Sequence, residues 1–307
     1  MPELPEVETI VREIRGRVMA AVIEAATLRR RDYVRTKTAV LGKRLKGRRI
    51  EEIRRDGKWI TIRLDDGARL VLHLGMSGRI YFERRGATLQ PHTHFIVQFA
   101  NYDFEMRMRD ARRFGGIWYY ADGEKLGGKS AIGGIHRLGV DALRISTAQL
   151  AHICRRRRQI KALLMDQSAI GGLGNIYCDE ALFDAGIHPL SLAGELTGDE
   201  VAKLAASIRS KLKNAIRLKG SSMRDYVRAD GSKGGFQRRH LAYGKEGKPC
   251  VRCGAAIERR TIAGRSTHFC PSCQIVGTEL TKAWGGKQSR RSAERAKRVA
   301  RGTVPAS

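Results

Sequence analysis

Four of the six cysteines, Cys250, Cys253, Cys270 and Cys273, form two C-x2-C pairs separated by sixteen residues. Such pairs offer four thiolates to one tetrahedral ion, and Zn2+ is the ion this donor set suits; an iron–sulfur site is the rival. Four sulfur ligands leave no position for water, so one zinc ion here would be structural rather than catalytic. Between the pairs, Ile257 to Ile262 and Thr267 to Phe269 flank Ala263-Gly264, which reads as a β-hairpin. Cys154 and Cys178 stand alone. With no export signal visible, these lone thiols are expected in a reducing interior, and a disulfide framework is not.

A second set of reactive residue types crowds the N-terminus, where Pro2, Glu3 and Glu6 lie within five residues. Pro5 suits the first turn of a helix, and Glu6 and Glu8 suit its positive end. Val7, Ile10, Val11, Ile14 and Val18 then share one face, so Pro2 and Glu3 precede a helix anchored on a core. On their own, Glu3 and Glu6 read equally well as partners of the helix dipole. Lys58 follows the Asp56-Gly57 turn at the start of a strand, where a solvated hairpin lysine is the plain reading. Gly171 to Asn175 precedes a helix; glycines there let backbone N–H groups approach a phosphate, with Asn175 as a side-chain donor. As a bare glycine loop that signal is weak.

These groups must be placed by an α+β scaffold. From about residue 22 to 120 the pattern is one of short strands: Ile60, Ile62 and Leu64 alternate with polar or aromatic partners, and Asp66-Gly67 turns the chain into Leu70 to Leu74. Further runs, Arg79 to Phe82, His94 to Phe99, Phe104 to Met108 and Ile117 to Tyr120, suggest an N-terminal β-sandwich. The Gly-rich stretch from Gly123 to Gly134 reads as linker. A helix is predicted from Ser146 toward Met165, a shorter one after Gly174, and the clearest over Thr197 to Leu218. There Thr197 and Glu200 make a capping box, and Gly220 sits at the C-terminal cap. The expected divisions are therefore 1–122 (helix plus sandwich), 123–145 (linker), 146–240 (helical, with a polar loop from Ser221), 241–275 (zinc hairpin) and 276–307. That last stretch of 32 residues carries eight Lys or Arg against two Glu and reads as a disordered basic tail.

Charge narrows the partner. Lys and Arg total 59 against 31 Asp and Glu, a formal +28, and a protein so charged repels itself unless a polyanion is its usual partner. Nucleic acid fits, since phosphate contacts draw affinity from counterion release. A membrane is not expected, because no run of about 18 apolar residues exists to span one. The run Arg155 to Arg158, which includes Arg156 and Arg157, together with Lys161 and His92, is expected to track a phosphate backbone, against the plainer reading of a solvated face.

Five motifs occur in one order: MPELPEVE at 1–8, HLGMSG at 73–78, DARRFGG at 110–116, GLGNIYCDEALF at 172–183 and GRSTHFCPSCQ at 264–274. Together they resemble the formamidopyrimidine-DNA glycosylase family of repair enzymes over roughly residues 2–275. The resemblance implies an N-terminal β-sandwich, a helical domain with a helix–two-turn–helix element, and a zinc β-hairpin. It implies that Pro2, freed by removal of Met1, is the nucleophile that attacks the sugar C1′ and holds a Schiff base. A terminal imino nitrogen is far less basic than a lysine amine, so more of it is unprotonated near neutrality. Glu3 would be the proton donor and Glu6 a relay carboxylate behind it. Lys58 would contact phosphate and donate a proton during β-elimination, and Arg265 would grip the phosphates flanking the lesion and assist δ-elimination. Met76, Arg112 and Phe114 would fill the gap left by an extruded nucleotide. Ala111 stands where the family usually has proline.

The activity so implied is a bifunctional glycosylase and abasic-site lyase for oxidised purines in double-stranded DNA, acting as a monomer in the cytoplasm or nucleoid. Leu4 and the loop over 221–236 point to the purine-directed branch, in which that loop would close over the extruded base. The alternatives are an endonuclease VIII-like enzyme for oxidised pyrimidines and a non-catalytic protein that binds damaged DNA by shape. A zinc-ribbon RNA-binding module explains the charge but not the N-terminal motif.

Overall fold

The computed structural model describes residues 1–36, 40–126, 135–223 and 226–275. The chain opens with helix α1 (Leu4–Val18), then runs through strand β1 (Ile23–Leu28), helix α2 (Leu41–Leu45), β2 (Ile50–Asp56), β3 (Trp59–Leu64), β4 (Arg69–His73), β5 (Gly78–Arg84), β6 (Thr93–Phe99), β7 (Phe104–Asp110) and β8 (Gly116–Tyr120). These strands make two four-stranded antiparallel sheets, ordered β1-β6-β7-β5 and β2-β3-β4-β8. Inward residues of both, among them Ile53, Ile60, Ile62, Leu72, Phe95, Val97 and Phe99, share one apolar core. That is the β-sandwich the alternation of apolar residues predicts.

Helix α1 belongs to two cores at once. Val7, Ile10, Val11, Ile14 and Val18 pack into the sandwich, while Leu4 is buried in a second core made by the helical half. Residues 2 and 3 therefore lie at the seam between the two.

The helical half contains β9 (Val140–Asp141), α3 (Thr147–Cys154), α4 (Ile160–Leu164), β10 (Ile170–Gly171), α5 (Asn175–Ala185) and α6 (Gly198–Arg217). The long helix forms as predicted: Thr197 and Glu200 close a capping box, and Gly220 takes a positive φ just beyond the end. Two expectations need correction. The helix expected from Ser146 to Met165 is two short helices, because Arg158 and Ile160 hydrogen-bond as an extended strand would, to Ala193 and Ser191. That pairing removes the backbone from helical geometry and leaves Arg155 to Arg158 as an exposed corner. The expected linker over 123–145 also ends in structure: β9 pairs in parallel with β10, and Arg55 reaches Asp141 at 2.7 Å. Most of the Gly-rich stretch, 127–134, and the basic tail 276–307 lie outside the described residues.

The last element is the hairpin of β11 (Glu258–Ile262) and β12 (Arg265–Phe269), turning at Ala263 and Gly264, both with positive φ. Among the described residues no helix is long and apolar enough to cross a membrane.

Candidate active site and zinc site

Met1 is half exposed, whereas Pro2 behind it is buried. Glu3 and Glu6 are both buried as well. The Glu3 carboxylate accepts the N–H of Ile176 at 3.0 Å and of Tyr177 at 3.4 Å, the free donors at the N-terminus of α5. The glycines of the 171–174 loop explain this closeness. A β-carbon on Gly174 would lie 2.2 Å from the Glu3 carboxyl carbon, and one on Gly172 would lie 2.6 Å from Leu4. Gly172 also has φ +102 and receives the Leu4 N–H on its carbonyl at 3.1 Å. The group that meets the free N–H donors at this helix start is thus the chain's own Glu3 carboxyl, where the sequence suggested a phosphate.

Glu6 sits behind Glu3. It accepts the Glu3 N–H at 2.8 Å, the Tyr177 hydroxyl at 2.6 Å and the Ser221 N–H at 2.8 Å. The Ser221 hydroxyl lies 3.0 Å from His240 Nε2, extending the network inward. Burial and the neighbouring Glu3 push the Glu6 carboxyl up to about 7, against these donors. Burial also raises Glu3, with Lys58 and the Ile176 and Tyr177 N–H groups pulling the other way. Lys58 is buried beneath the turn that precedes β3; burial lowers its pKa, while Glu3 opposes that shift and Arg265 reinforces it. A buried amine and a buried carboxyl, each pushed toward its neutral form, are suited to moving protons near neutral pH.

Arg265, exposed at the start of β12, lines a cavity of about 230 Å3 between α4 and the hairpin, with Arg158. Its placement depends on a cluster that the sequence reading assigned differently. Lys161, expected on DNA, is fully buried and paired with Asp179 at 2.5 Å. Its ammonium also lies 3.3 Å from the Ser266 carbonyl, and the other Asp179 oxygen accepts the His268 N–H at 2.9 Å. A charge so enclosed stays inside because its partner is there. Asn175 spends an amide N–H on the same Ser266 carbonyl at 2.7 Å. Helices α4 and α5 thereby hold β12 beside the Glu3 site.

On the sandwich side, Met76 and Phe114 are 37% and 55% exposed, unusual for large apolar side chains. The Arg112 guanidinium stacks on the Phe114 ring at 4.7 Å. Their two loops are packed hard together: a β-carbon on Gly75 would lie 2.4 Å from the backbone at Phe114 and Gly115. Asp110, fully buried, ties them by accepting from Ser77, Gly115 and Tyr33. Ala111 is exposed in this loop. His92 is exposed beside it and accepts the Asp110 N–H on its carbonyl. Arg156 and Arg157 are exposed at the α3–α4 corner.

The four cysteine sulfurs lie within 4.8 Å of one another, with Cys253 and Cys270 at 3.5 Å and Cys250 and Cys273 at 3.9 Å. Tetrahedral Zn–S bonds of about 2.3 Å require sulfurs about 3.8 Å apart, so the donors fit one zinc ion. The Arg252 and Cys273 N–H groups point at Cys250 and Cys270 sulfurs, as thiolates require. Glu180 anchors the approach to this module, accepting N–H groups from Leu241, Ala242 and Tyr243.

Sequence reasoning missed Tyr177, Asp179, Ser221 and His240. Tyr177 and Asp179 lie inside the GLGNIYCDEALF motif, but nothing in their types says they face Glu6 and Lys161.

A buried carboxyl pair beside Lys58, set between a β-sandwich and a helical domain with a four-cysteine hairpin, makes a multidomain protein with an enclosed acid–amine site. Each part has a counterpart. Residues 1–117 match the formamidopyrimidine-DNA glycosylase N-terminal domain, 138–227 the H2TH domain of the same enzymes, and 247–275 the zinc finger found in Fpg and IleRS. The formamidopyrimidine-DNA glycosylases of Gluconobacter oxydans and Thermus thermophilus are 44% and 40% identical, over 89% and 90% of this chain and all of theirs. The chain belongs to the formamidopyrimidine-DNA glycosylase family, and the zinc-finger match accords with one structural zinc. The crystal structure of MutM (Fpg) from Thermus thermophilus superposes with a TM-score of 0.79 at 37% identity, and Lactococcus lactis Fpg bound to abasic-site DNA with 0.80 at 34%. These cover 90% and 89% of this chain and all of theirs.

Proposed function

We propose that this enzyme excises oxidised purines, 8-oxoguanine and formamidopyrimidines, from double-stranded DNA and then nicks the strand, with Pro2 as the covalent nucleophile. The observation that carries the reading is the burial of Pro2 directly before a Glu3 carboxyl held by the start of α5 and facing the charge of Lys58. Solved relatives were crystallised with formamidopyrimidine and carbocyclic 8-oxoguanine DNA, which supports the substrate class.

Removal of Met1 frees the imino nitrogen. Its lone pair attacks C1′, the base departs with the electrons of the glycosidic bond, and the sugar ring opens to an iminium at C1′. Glu3, whose raised pKa keeps it protonated longer than an exposed carboxyl, supplies the proton to the ring oxygen. The iminium acidifies the C2′ proton; its loss expels the 3′ phosphate, and a second elimination expels the 5′ phosphate. Lys58 serves proton transfer in these eliminations, and Arg265 with Arg156 and Arg157 binds the flanking phosphates. Met76, Arg112 and Phe114 occupy the stack after extrusion. The loop that starts at Ser221 is taken as the wall of the base site, and the Ser221 N–H bond to Glu6, which ties its root to α1, supports that reading. The enzyme is read as a monomer, and the divisions of labour are 1–122, 146–240 and 241–275.

Borohydride in the presence of an 8-oxoguanine:cytosine duplex tests the covalent step. A protein–DNA adduct is expected, and its absence with active enzyme, or its survival in a terminally blocked Pro2→Gly variant, overturns the reading. A panel of oxidised pyrimidine duplexes in the same assay measures the competing branch.

A further inference from the structure

The described parts of the 221–236 loop, 221–223 and 226–236, are gripped at two points by one face of α1. At its root, the Ser221 N–H binds Glu6. At its tip, Glu13, two turns further along α1, accepts from Arg228 Nε at 2.7 Å and from the Ala229 N–H at 2.9 Å. Positions seven apart on a helix lie on the same face. Between the two grips, Tyr226 is buried in the core that α1 shares with the sandwich.

The tip is a formed turn rather than an open strand of chain. Arg228 bonds the Ser232 hydroxyl at 2.8 Å and pairs with Asp230 at 3.1 Å, while its N–H reaches the Ser232 carbonyl at 2.9 Å. On its other side a cavity of about 400 Å3, lined by Arg79 to Glu83 of β5, separates this turn from the sheet. Glu13 is only 17% exposed, and Arg228 only 23%, so their pair is better shielded than a surface contact.

We propose that Glu13 is a positioning residue: it latches the tip of the 221–236 loop to the helix that carries Pro2, Glu3 and Glu6. The loop wall and the reacting groups then share one rigid element, so a base seated against the wall is registered to the nucleophile. This rests on the reading of that loop as the wall of the base site. Excision of an intact damaged base needs the wall; cleavage at a site that has already lost its base does not.

Two measurements on purified full-length enzyme test the latch. In Glu13→Ala, hydrogen exchange at Ala229 and its loop neighbours should rise at least about ten-fold, with α5 and the sandwich unchanged. Single-turnover excision of a formamidopyrimidine duplex should fall about ten-fold, with cleavage of a preformed abasic duplex within about two-fold. Glu13→Gln, which still accepts the Ala229 N–H, should recover part of both effects. Unchanged exchange in Glu13→Ala overturns the latch whatever the activity; an equal fall of both rates, or no fall, overturns its role in excision. If the wild-type enzyme excises no damaged purine, the functional reading fails, and the exchange result alone decides whether Glu13 holds the loop.

Discussion

Glu3 and Gly174 stand so close that any side chain at 174 must displace the carboxyl: a β-carbon there would come 2.2 Å from the Glu3 carboxyl carbon. Gly174→Ala should therefore push Glu3 off the start of α5. Excision and abasic-site cleavage should both drop about a hundred-fold, because displacing a reacting group by an ångström costs that much. Affinity for undamaged DNA should hold within about three-fold. Full activity in this variant would remove Glu3 from the mechanism.

Glu6 makes stability depend on pH. Its carboxyl is raised from 4.5 to about 7 in the folded chain, so the protonated form is favoured by folding. The resulting stabilisation is complete below pH 4.5 and is lost as pH rises through 7. It amounts to something on the order of 3 kcal/mol. Glu6→Gln cannot titrate, so the wild type's melting temperature relative to it should fall by several degrees between pH 5 and pH 8. A constant difference across that range would show Glu6 to be ionised throughout.

Lys161 and the exposed arginines should part company in salt titrations. Arg156→Ala should reduce the salt slope of DNA binding by about one counterion. Lys161→Met should leave that slope unchanged but lower stability by about 3–5 kcal/mol, since it strands Asp179 inside the protein. Asp179→Asn should do the same to stability. A normal melting curve for Lys161→Met with a reduced salt slope would return Lys161 to the DNA surface.

Zinc should be needed for Arg265 to act. Metal analysis is expected to find one zinc ion per chain. Chelation, or Cys270→Ser, should unfold the hairpin and cut abasic-site cleavage about a hundred-fold, while the far-ultraviolet signature of the sandwich persists. Undiminished cleavage after verified zinc loss would detach Arg265 from the reaction.

The strands, the capped helix α6 and the cysteine hairpin were legible because each is written in local periodicity or spacing. Pro2 and Glu3 were legible only through their motif; nothing local says that a glutamate at position 3 will meet N–H groups at 176 and 177. Lys161 misled because sequence shows its charge beside four arginines but not the aspartate waiting eighteen residues on. The break at Arg155 to Gln159 was hidden for a similar reason: its cause is pairing with residues 191–193, and helical propensity carries no record of a distant strand. Glu13 escaped notice because a carboxylate in mid-helix looks solvated until its partner at 228 is placed.

The seam at which Glu3 meets α5 also sets an order of events during synthesis. Pro2 and Glu3 are made at the start of synthesis, yet the groups that surround them arrive at 176, 177 and 221, and the proposed phosphate-binding arginine at 265. A chain released early would carry the proposed nucleophile without the helix start that holds Glu3 or the proposed loop wall and phosphate-binding arginine. On the proposed roles, the site is complete only once residue 265 has been made and folded against the first three residues.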